Sequence, residues 1–124
     1  MIDGDTLVIN GEHVRLFGID APEAHDSGGQ GAKRALQGLV GRNDPKCERV
    51  ETDRYRRTVA LCAANGADLS LAMLRSGYAV TWCFYIRKNR PSLLQRFQSA
   101  EADAKRDRRG LWSTDFKPWR DWGC

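Results

Sequence analysis

Several features are missing from this sequence of 124 residues, and each absence argues against a class of protein. No apolar run approaches the roughly 20 residues that a helix needs to cross a bilayer, so we expect no membrane-spanning segment. No two cysteines form a C-x-x-C pair, which argues against a zinc ribbon and a thioredoxin-like redox site. His13 and His25 are too few and too far apart in sequence to indicate a metal site, and we expect both to be structural or exposed to solvent.

The composition that remains is that of a packed domain. Hydrophobic residues make up 41% of the chain, and the sequence contains 4 tryptophans but neither repeats nor low-complexity stretches. A chain of this length rarely divides, so we expect one domain with one modest hydrophobic core. No signal peptide is visible. However, the chain opens inside an expected strand and motif, as a trimmed N-terminus would, so this absence excludes nothing.

The charge and the cysteines each leave two interpretations open. Lys and Arg total 20 against 16 Asp and Glu. The net charge of +4 suits a polyanion such as nucleic acid, although many proteins of other function are mildly basic. The 4 cysteines form either two disulfides, with three connectivities, or buried free thiols. Disulfides would indicate an oxidising compartment, and hence a secreted or periplasmic protein.

Short strand patterns recur along the chain. Asn10-Gly11 is a strong signal for a two-residue hairpin turn, so the strand Thr6–Ile9 is predicted to pair with the segment that follows the turn. β-branched and aromatic residues predict the other extended segments. The segments after the turn are residues 12–19, 47–52, 58–63 and 78–86.

Three helices are predicted among these strands. Apolar residues at helical spacing predict the first over residues 30–40. Asp68 can cap the second, which runs to Ser76. A capping box of Ser92 and Gln95 predicts the start of the third. Short strands with inserted helices are typical of an α+β domain built around a small barrel.

The first group that indicates chemistry is acidic and comprises Asp3, Asp5, Asp20 and Glu23. Pairing across the hairpin, together with strand alternation, places Asp5 and Asp20 on one face. A straight ladder would hold these two carboxylates more than about 10 Å apart, so the strand must bend, and Gly18 is where it can. Oxygen ligands of this kind suit a hard cation such as Ca²⁺. The alternative is a set of aspartates in surface turns.

Arg15 and Arg57 are candidates for a phosphate site. Phosphodiester cleavage adds negative charge to the phosphoryl oxygens, and the planar fork of arginine can clamp two of them. Strict alternation, however, turns Arg15 away from Asp5 unless the bend reorients it. Each arginine taken alone is more simply a solvated surface charge.

A third group mixes aromatic and basic residues. Bases stack on aromatic rings and cations follow the phosphates, so the group is consistent with nucleic-acid binding. The alternative is that Tyr85 belongs to the core and that the others lie on the surface. The group comprises Arg54, Tyr55, Tyr85, Arg87 and Lys88.

Four segments, taken in order, resemble the staphylococcal nuclease (thermonuclease) family. Residues 2–6, Ile-Asp-Gly-Asp-Thr, resemble the acidic motif of its first strand. Residues 14–23, which end in Asp-Ala-Pro-Glu, resemble its arginine strand and Asp-x-Pro-Glu motif. Residues 52–57 resemble its Thr-Asp-Lys-Tyr-Gly-Arg loop, and residues 101–113 resemble its last helix and the tryptophan after it. Each motif alone is only moderately specific to the family, but four motifs in the family's order over residues 2–113 are a specific signal.

The resemblance implies a calcium site and a residue that acts on water. Asp5 and Asp20 would bind Ca²⁺ through their side chains. Ala21, which stands where the best-known members have threonine, would bind it through its backbone carbonyl. Asp3 would support these ligands. Glu23 would orient or deprotonate the attacking water.

The resemblance also implies how the substrate is held. Arg15 and Arg57 would clamp the scissile phosphate. Tyr55 would contact the nucleotide's terminal phosphate or sugar, and Tyr85 and Arg54 would add substrate contacts. Cys83 lies near the position of a nucleotide-stacking tyrosine in the family, so stacking would rest on Tyr85.

The fold implied by the resemblance is an OB-fold-type five-stranded β-barrel with three α-helices. Residues 1–113 would form this domain, and residues 114–124 a tail packed on it. The implied function is a calcium-dependent endo/exonuclease, monomeric, that hydrolyses single-stranded DNA and RNA with little sequence specificity. It would leave 3′-phosphate ends.

Two rivals to this reading are a non-catalytic module for nucleic-acid or protein binding and an OB-type fold with coincidental motifs. Domains of the family that have lost catalysis lose members of the implied catalytic set. The sequence retains all five of its members, which favours the enzyme. These are Asp5, Arg15, Asp20, Glu23 and Arg57.

The cysteines are not part of the family's usual pattern, and Arg56 replaces the usual glycine before the second arginine. Cys47 and Cys62 lie on two strands that flank the loop of residues 52–57. If these strands pair, Cys47–Cys62 is the preferred bridge. Cys83–Cys124 would then tie the tail to the barrel.

Overall fold

The computed structural model describes residues 2–118 and 121–124, and within them the chain forms an α+β fold. Seven strands and four α-helices are present in this part of the chain. The strands are β1 Thr6–Ile9, β2 Glu12–Leu16, β3 Ile19–Asp20, β4 Lys46–Thr52, β5 Thr58–Ala64, β6 Ala67–Asp68 and β7 Val80–Thr81. The helices are α1 Gly29–Val40, α2 Leu69–Arg75, α3 Cys83–Asn89 and α4 Leu94–Arg106.

Five of the strands form one mixed sheet. Its order is β1-β2-β5-β4, with β6 also paired to β5, while β3 and β7 form a separate two-stranded sheet. The β2–β5 pair is parallel and the other pairs are antiparallel. The predicted α+β class with five strands is confirmed, although the described strands do not close into a barrel.

The first hairpin has the predicted register, because Leu7 pairs with Val14 across the turn. The predicted single strand over residues 12–19, however, is two strands separated at Gly18. Gly18 has a φ of +77°, and a Cβ atom there would lie 2.7 Å from a ring carbon of the buried Phe97. Only glycine fits this bend without strain. The bend carries the chain away from β2 and places Asp20 in β3.

The first two helices lie close to their predicted positions. Asp68 caps α2 as expected, since its side chain accepts a hydrogen bond from the Leu71 N–H at 2.9 Å. The prediction of a capping box at the start of α4 was wrong. Residues Pro91–Leu93 form a 3₁₀ turn, so the helix begins at Leu94 without a side-chain cap.

The segment 78–86, predicted to be extended, contains a helix that the sequence analysis missed. Only Val80–Thr81 is a strand, and α3 follows, which makes four α-helices rather than three. Cys83 and Ile86, three positions apart, are both fully buried. Arg87 in the last turn adds a favourable interaction with the helix dipole. Burial at helical spacing therefore outweighs the β propensity of this aromatic segment.

Both disulfides have the pairing expected from the sequence. Cys47 and Cys62 are partners in the β4–β5 ladder and are bonded to each other. Cys83, the first residue of α3, is bonded to Cys124. The second bond ties residues 121–124 to the domain, where Trp122 is 5% exposed. Within the described residues no helix is both long and apolar enough to cross a membrane.

Candidate functional site

A cavity of about 610 Å³ gathers most of the residues that the sequence singled out. Of the predicted metal, catalytic and substrate residues, Tyr85 alone is missing from its lining. Two further residues, His13 and Trp82, line it as well. The predicted members are Asp3, Asp5, Arg15, Asp20, Ala21, Glu23, Arg54, Tyr55 and Arg57.

Asp5 and Arg15 face each other, which corrects the expectation from strand alternation. Asp5 lies in a turn before β1 and is not part of the ladder, so alternation does not govern its direction. Arg15 Nη1 lies 2.8 Å from Asp5 Oδ2, although the approach lacks the angle of a hydrogen bond. Asp5 Oδ2 also accepts the Ala21 N–H at 2.8 Å, and Asp5 Oδ1 accepts the Thr6 hydroxyl at 2.8 Å.

Asp20 reaches the same guanidinium from the other side of the Gly18 bend. Its Oδ1 lies 3.4 Å from Arg15 Nη2, and its Oδ2 accepts a hydrogen bond from Trp122 Nε1 at 2.8 Å. The side chains of Asp5, Arg15 and Asp20 are only 7%, 10% and 13% exposed. We call these three residues the buried half of the site.

The donor set at this half suits a calcium ion. Asp5 and Asp20 offer carboxylate oxygens, and Ala21, whose backbone carbonyl is the third expected ligand, donates its N–H to Asp5. Hard cations such as Ca²⁺ take oxygen ligands of these kinds, and nitrogen or sulfur ligands are not required.

A second acidic group lies at the rim. Among the described residues, Glu23, His25 and Asp26 are the one trio whose potential ligand atoms lie within 4.8 Å of one another, and all three are exposed. Exposed acidic groups of this kind are common without an ion. The trio is therefore no evidence of a metal by itself, and the calcium site expected from the sequence is a different set that includes Asp5 and Asp20.

Asp3 holds the turn that carries Glu23. Its Oδ1 accepts the Ala24 N–H at 2.8 Å, so it acts on the main chain next to Glu23. The Glu23 side chain is 64% exposed, and its carboxylate lies 3.4 Å from His25 Nε2. A solvent-exposed carboxylate on a fixed turn can hold a water molecule at the cavity.

Arg57 also lines the cavity and lies in the loop of residues 53–57, which Asp53 organises. Asp53 Oδ1 accepts the N–H groups of Tyr55 and Arg57 at 2.8 and 2.9 Å, and Oδ2 accepts Arg57 Nε at 2.8 Å. Partial burial by itself raises the pKa of Asp53, but these hydrogen bonds outweigh it and lower the pKa of this carboxyl below its usual 3.8. Asp53 therefore stays ionised and orients Arg57.

Tyr55 and two arginines form what we call the exposed half of the site. Tyr55 is 65% exposed, and the guanidinium carbons of Arg54 and Arg57 lie 5.0 and 5.4 Å from the centre of its ring. An exposed ring flanked by cations can stack on a base while the cations meet phosphates.

Tyr85 does not reach the cavity. Its hydroxyl donates to Glu51 at 2.7 Å, and its ring stacks on Trp82 with centroids 5.1 Å apart. Burial, followed by the hydrogen bond from Tyr85 to Glu51 and the charge of Glu51, raises the pKa of Tyr85 above its ordinary 10.0. Trp82 lies at the cavity instead, with the Arg15 guanidinium 5.9 Å from its ring centre.

Sequence reasoning missed Trp82, Asp53 and Trp122. Trp82 was hidden because its segment was assigned to a strand. Asp53 stood within the loop motif, two residues before Tyr55, and its Asx-type spacing to backbone N–H groups was a signal that could have been used. Trp122 lies 102 residues from Asp20, and nothing in the local sequence indicates their contact.

Oxygen ligands, two arginines and an exposed aromatic ring around one cavity are typical of proteins that act on the phosphate esters of nucleic acids. A comparison of the sequence with models of protein families also indicates a protein that acts on nucleic acids. The model described as staphylococcal nuclease homologue matches residues 13–114. The chain therefore belongs to the staphylococcal nuclease family, and this membership supports nuclease activity on nucleic acids.

Curated relatives extend the likeness over nearly the whole chain. The chain is 33% identical to protein ParB of Escherichia coli, across 97% of this chain and 74% of that protein. It is 30% identical to the micrococcal nuclease of Shigella flexneri, across 97% of this chain and 75% of that protein. It is 34% identical to an uncharacterized endonuclease of Haemophilus influenzae, across 90% of this chain and 62% of that protein. The chain thus spans less than two thirds of the Haemophilus protein.

Proposed function

We propose that this protein is a calcium-dependent nuclease that hydrolyses single-stranded DNA and RNA with little sequence specificity and leaves 3′-phosphate ends. Family membership supports the nuclease class. The observation that carries the proposal is the shared cavity, which is lined by Asp5, Asp20 and Arg15 together with Arg57.

Two arginines that line the same cavity bind the scissile phosphate. Asp53 holds Arg57 through its Nε, and in the proposal the Nη groups of Arg57 bind phosphoryl oxygens. Arg15 is held between Asp5 and Asp20. Arginine donors aimed at oxygens whose negative charge grows in the transition state lower the barrier more than they strengthen binding of the ground state.

The acidic residues serve two roles. Asp5, Asp20 and the Ala21 carbonyl would hold Ca²⁺, which supplies charge neutralisation at the phosphate and positions a water when bound. Glu23 orients or deprotonates the attacking water from the rim, on the turn that Asp3 fixes. The P–O5′ bond is cleaved, and the 5′ oxygen leaves with a proton from solvent or from the site.

The substrate contacts explain the expected lack of sequence specificity. Tyr55 is exposed at the cavity with Arg54 against its ring, and Trp82 also lines the cavity. Ring faces and guanidinium groups address base planes and phosphates, not the base edges that carry sequence information. Bases must be unpaired to stack in this way, which favours single strands.

The compartment we propose is extracellular or periplasmic, and the protein is proposed to act as a monomer. Two disulfides join all 4 cysteines, and bonds of this kind persist in oxidising compartments.

The test is release of acid-soluble nucleotides from denatured DNA, with Ca²⁺ and then with excess chelator. We expect calcium-dependent release by the wild type, and a loss of about 10²–10⁴-fold in the Glu23→Gln variant. Glu48→Gln is the matched control, because Glu48 is exposed on β4 and does not line the cavity. Product ends are analysed for 3′-phosphate.

A wild-type protein that binds denatured DNA but releases no nucleotides would contradict the proposal and favour a non-catalytic binding module. Equal activity of Glu23→Gln and Glu48→Gln would contradict the role of Glu23 while leaving the nuclease intact. Full activity in chelator would exclude the calcium site.

A further inference from the structure

The C-terminal residues 121–124 reach the buried half of the site. Trp122 is 5% exposed, and its indole N–H donates to Asp20 Oδ2 at 2.8 Å. The other oxygen of this carboxylate lies 3.4 Å from Arg15 Nη2. Two donors on different elements therefore address the two oxygens of Asp20 and define the orientation of the carboxylate.

The main chain around Trp122 is docked on α3. The Phe84 N–H donates to the Trp122 carbonyl at 3.0 Å, and Arg87 Nη2 donates to the Gly123 carbonyl at 2.5 Å. Gly123 has a φ of +80°, and a Cβ atom there would lie 2.6 Å from the Phe84 ring. The segment thus passes so close to α3 that only glycine fits at this position.

A covalent bond holds this docked segment. Cys124, two residues after Trp122, is bonded to Cys83, the fully buried first residue of α3. Because the bond joins residues 41 positions apart, it limits how far Trp122 can move from Asp20 when the hydrogen bonds open.

We propose that Trp122 is a positioning residue for the calcium ligand Asp20, and that the Cys83–Cys124 disulfide keeps it in place. This inference rests on the proposed function, in which Asp20 binds the cation. A neutral N–H donor fixes the orientation of a carboxylate without cancelling its charge, so the carboxylate keeps its attraction for a cation. Partners of this kind, one step removed from a metal, raise affinity by orienting its ligands.

The first test compares two Trp→Phe variants by calorimetric titration with Ca²⁺. Trp122→Phe keeps an aromatic ring and removes the donor, and we expect its calcium Kd to rise about tenfold. Trp112→Phe is the matched control, because the Trp112 indole N–H has no hydrogen-bond partner among the described residues. Its Kd should equal that of the wild type. A Trp122→Phe Kd within about twofold of the control overturns the proposal.

The second test is spectroscopic and needs neither calcium nor substrate. The indole N–H resonance of Trp122 is identified by its absence in Trp122→Phe. We expect Asp20→Asn to move this resonance while the Trp112 resonance stays in place. A Trp122 resonance that Asp20→Asn does not move overturns the contact, and a role in packing alone would give that result.

The third test compares the two disulfides. In each, one cysteine is exposed and one is buried, so Cys124→Ser and Cys47→Ser are matched single replacements of the exposed member. We expect Cys124→Ser to raise the calcium Kd and Cys47→Ser to leave it unchanged. Equal effects of the two variants overturn the role of the Cys83–Cys124 bond.

The wild-type titration separates the two levels of failure. A wild type that binds no Ca²⁺ overturns the proposed function and this inference with it. A wild type that binds Ca²⁺ with the same Kd as Trp122→Phe overturns this inference alone.

Discussion

The two halves of the candidate site are built in different ways. In the buried half, Asp5, Arg15 and Asp20 are at most 13% exposed at their side chains and come from β2, β3 and the turn before β1. In the exposed half, Tyr55 is 65% exposed, and Arg57 is held by one carboxylate of its own loop.

This difference indicates a division of work. In the proposed function the buried half holds a cation, whose ligands need a fixed geometry, and the packed sheet and the Gly18 bend provide that geometry. Contacts to a polymer of varying sequence must adapt, and a surface loop allows them to. We therefore expect changes in the buried half to alter both stability and activity, and changes in the exposed half to alter activity with only small changes in stability.

The largest contrast is expected between Arg15→Met and Arg57→Met. Arg15→Met leaves two poorly exposed carboxylates without their cation and should destabilise the calcium-free protein by about 3–5 kcal/mol. Arg57→Met breaks a partly exposed ion pair and should cost less than about 1 kcal/mol. Both should lower the nuclease rate by about 10²-fold or more, because each removes a phosphate donor.

Urea unfolding and nucleotide release measure the two effects of these arginine variants. Equal losses of stability in both would break the comparison between the halves.

A smaller effect is expected from Gly18→Ala, which changes no charge. A methyl group would meet Phe97 and force a residue with a side chain to a φ of +77°, so we expect a loss of about 2–4 kcal/mol. Gly38→Ala is the control, because Gly38 lies exposed in α1 with no atom within 4 Å of the added Cβ. The control should gain about 0.5–1 kcal/mol. Thermal unfolding of both variants shows whether the loss of stability in Gly18→Ala comes from the bend or from a general intolerance of alanine in place of glycine.

Asp53→Asn tests how the exposed half is held. The variant keeps the shape of the side chain but removes the negative charge that pairs with Arg57. We expect the free energy of unfolding to fall by about 1 kcal/mol near pH 7. The pKa of Asp53 is lowered in the folded protein, so its contribution is complete above the ordinary value of 3.8 and is lost as pH falls through the lowered value. Urea unfolding of both proteins at about pH 7 and about pH 3 should show the difference shrinking in acid. A difference independent of pH contradicts this role.

The smallest effect is expected at Arg56, which has a φ of +64° where the family has glycine. Arg56→Gly removes the strain of a left-handed backbone but makes the unfolded chain more flexible. The free energy of unfolding should therefore rise by at most about 1 kcal/mol. Arg56→Ala keeps the strain and should bring no gain. A gain in both variants would point to the charge of Arg56 and not to its backbone.

Much of the fold could be predicted from local signals. The Asn10-Gly11 turn fixed the hairpin register, and the need to bring Asp5 and Asp20 together indicated the bend at Gly18. Helix α3 could not be predicted in this way, because its aromatic residues favour a strand by propensity. Only the burial of Cys83 and Ile86 against the rest of the chain makes the helix favourable.

The residues of the candidate site could also be predicted only where a local pattern or motif carries them. Motif residues were identified because the family resemblance carries them in order along the chain. The direction of Arg15 was not predictable from alternation, since Asp5 lies outside the ladder. The contact of Trp122 with Asp20 depends on where the C-terminal residues dock, which no local pattern encodes.

The most direct test of this division is the calcium dependence of DNA hydrolysis in the wild type, Asp20→Asn and Arg57→Met. We predict that Asp20→Asn raises the Ca²⁺ concentration for half-maximal activity at least about tenfold. Arg57→Met should lower the maximal rate at an unchanged Ca²⁺ requirement. An Arg57→Met variant that needs more Ca²⁺, or an Asp20→Asn variant that needs no more than the wild type, would contradict the account.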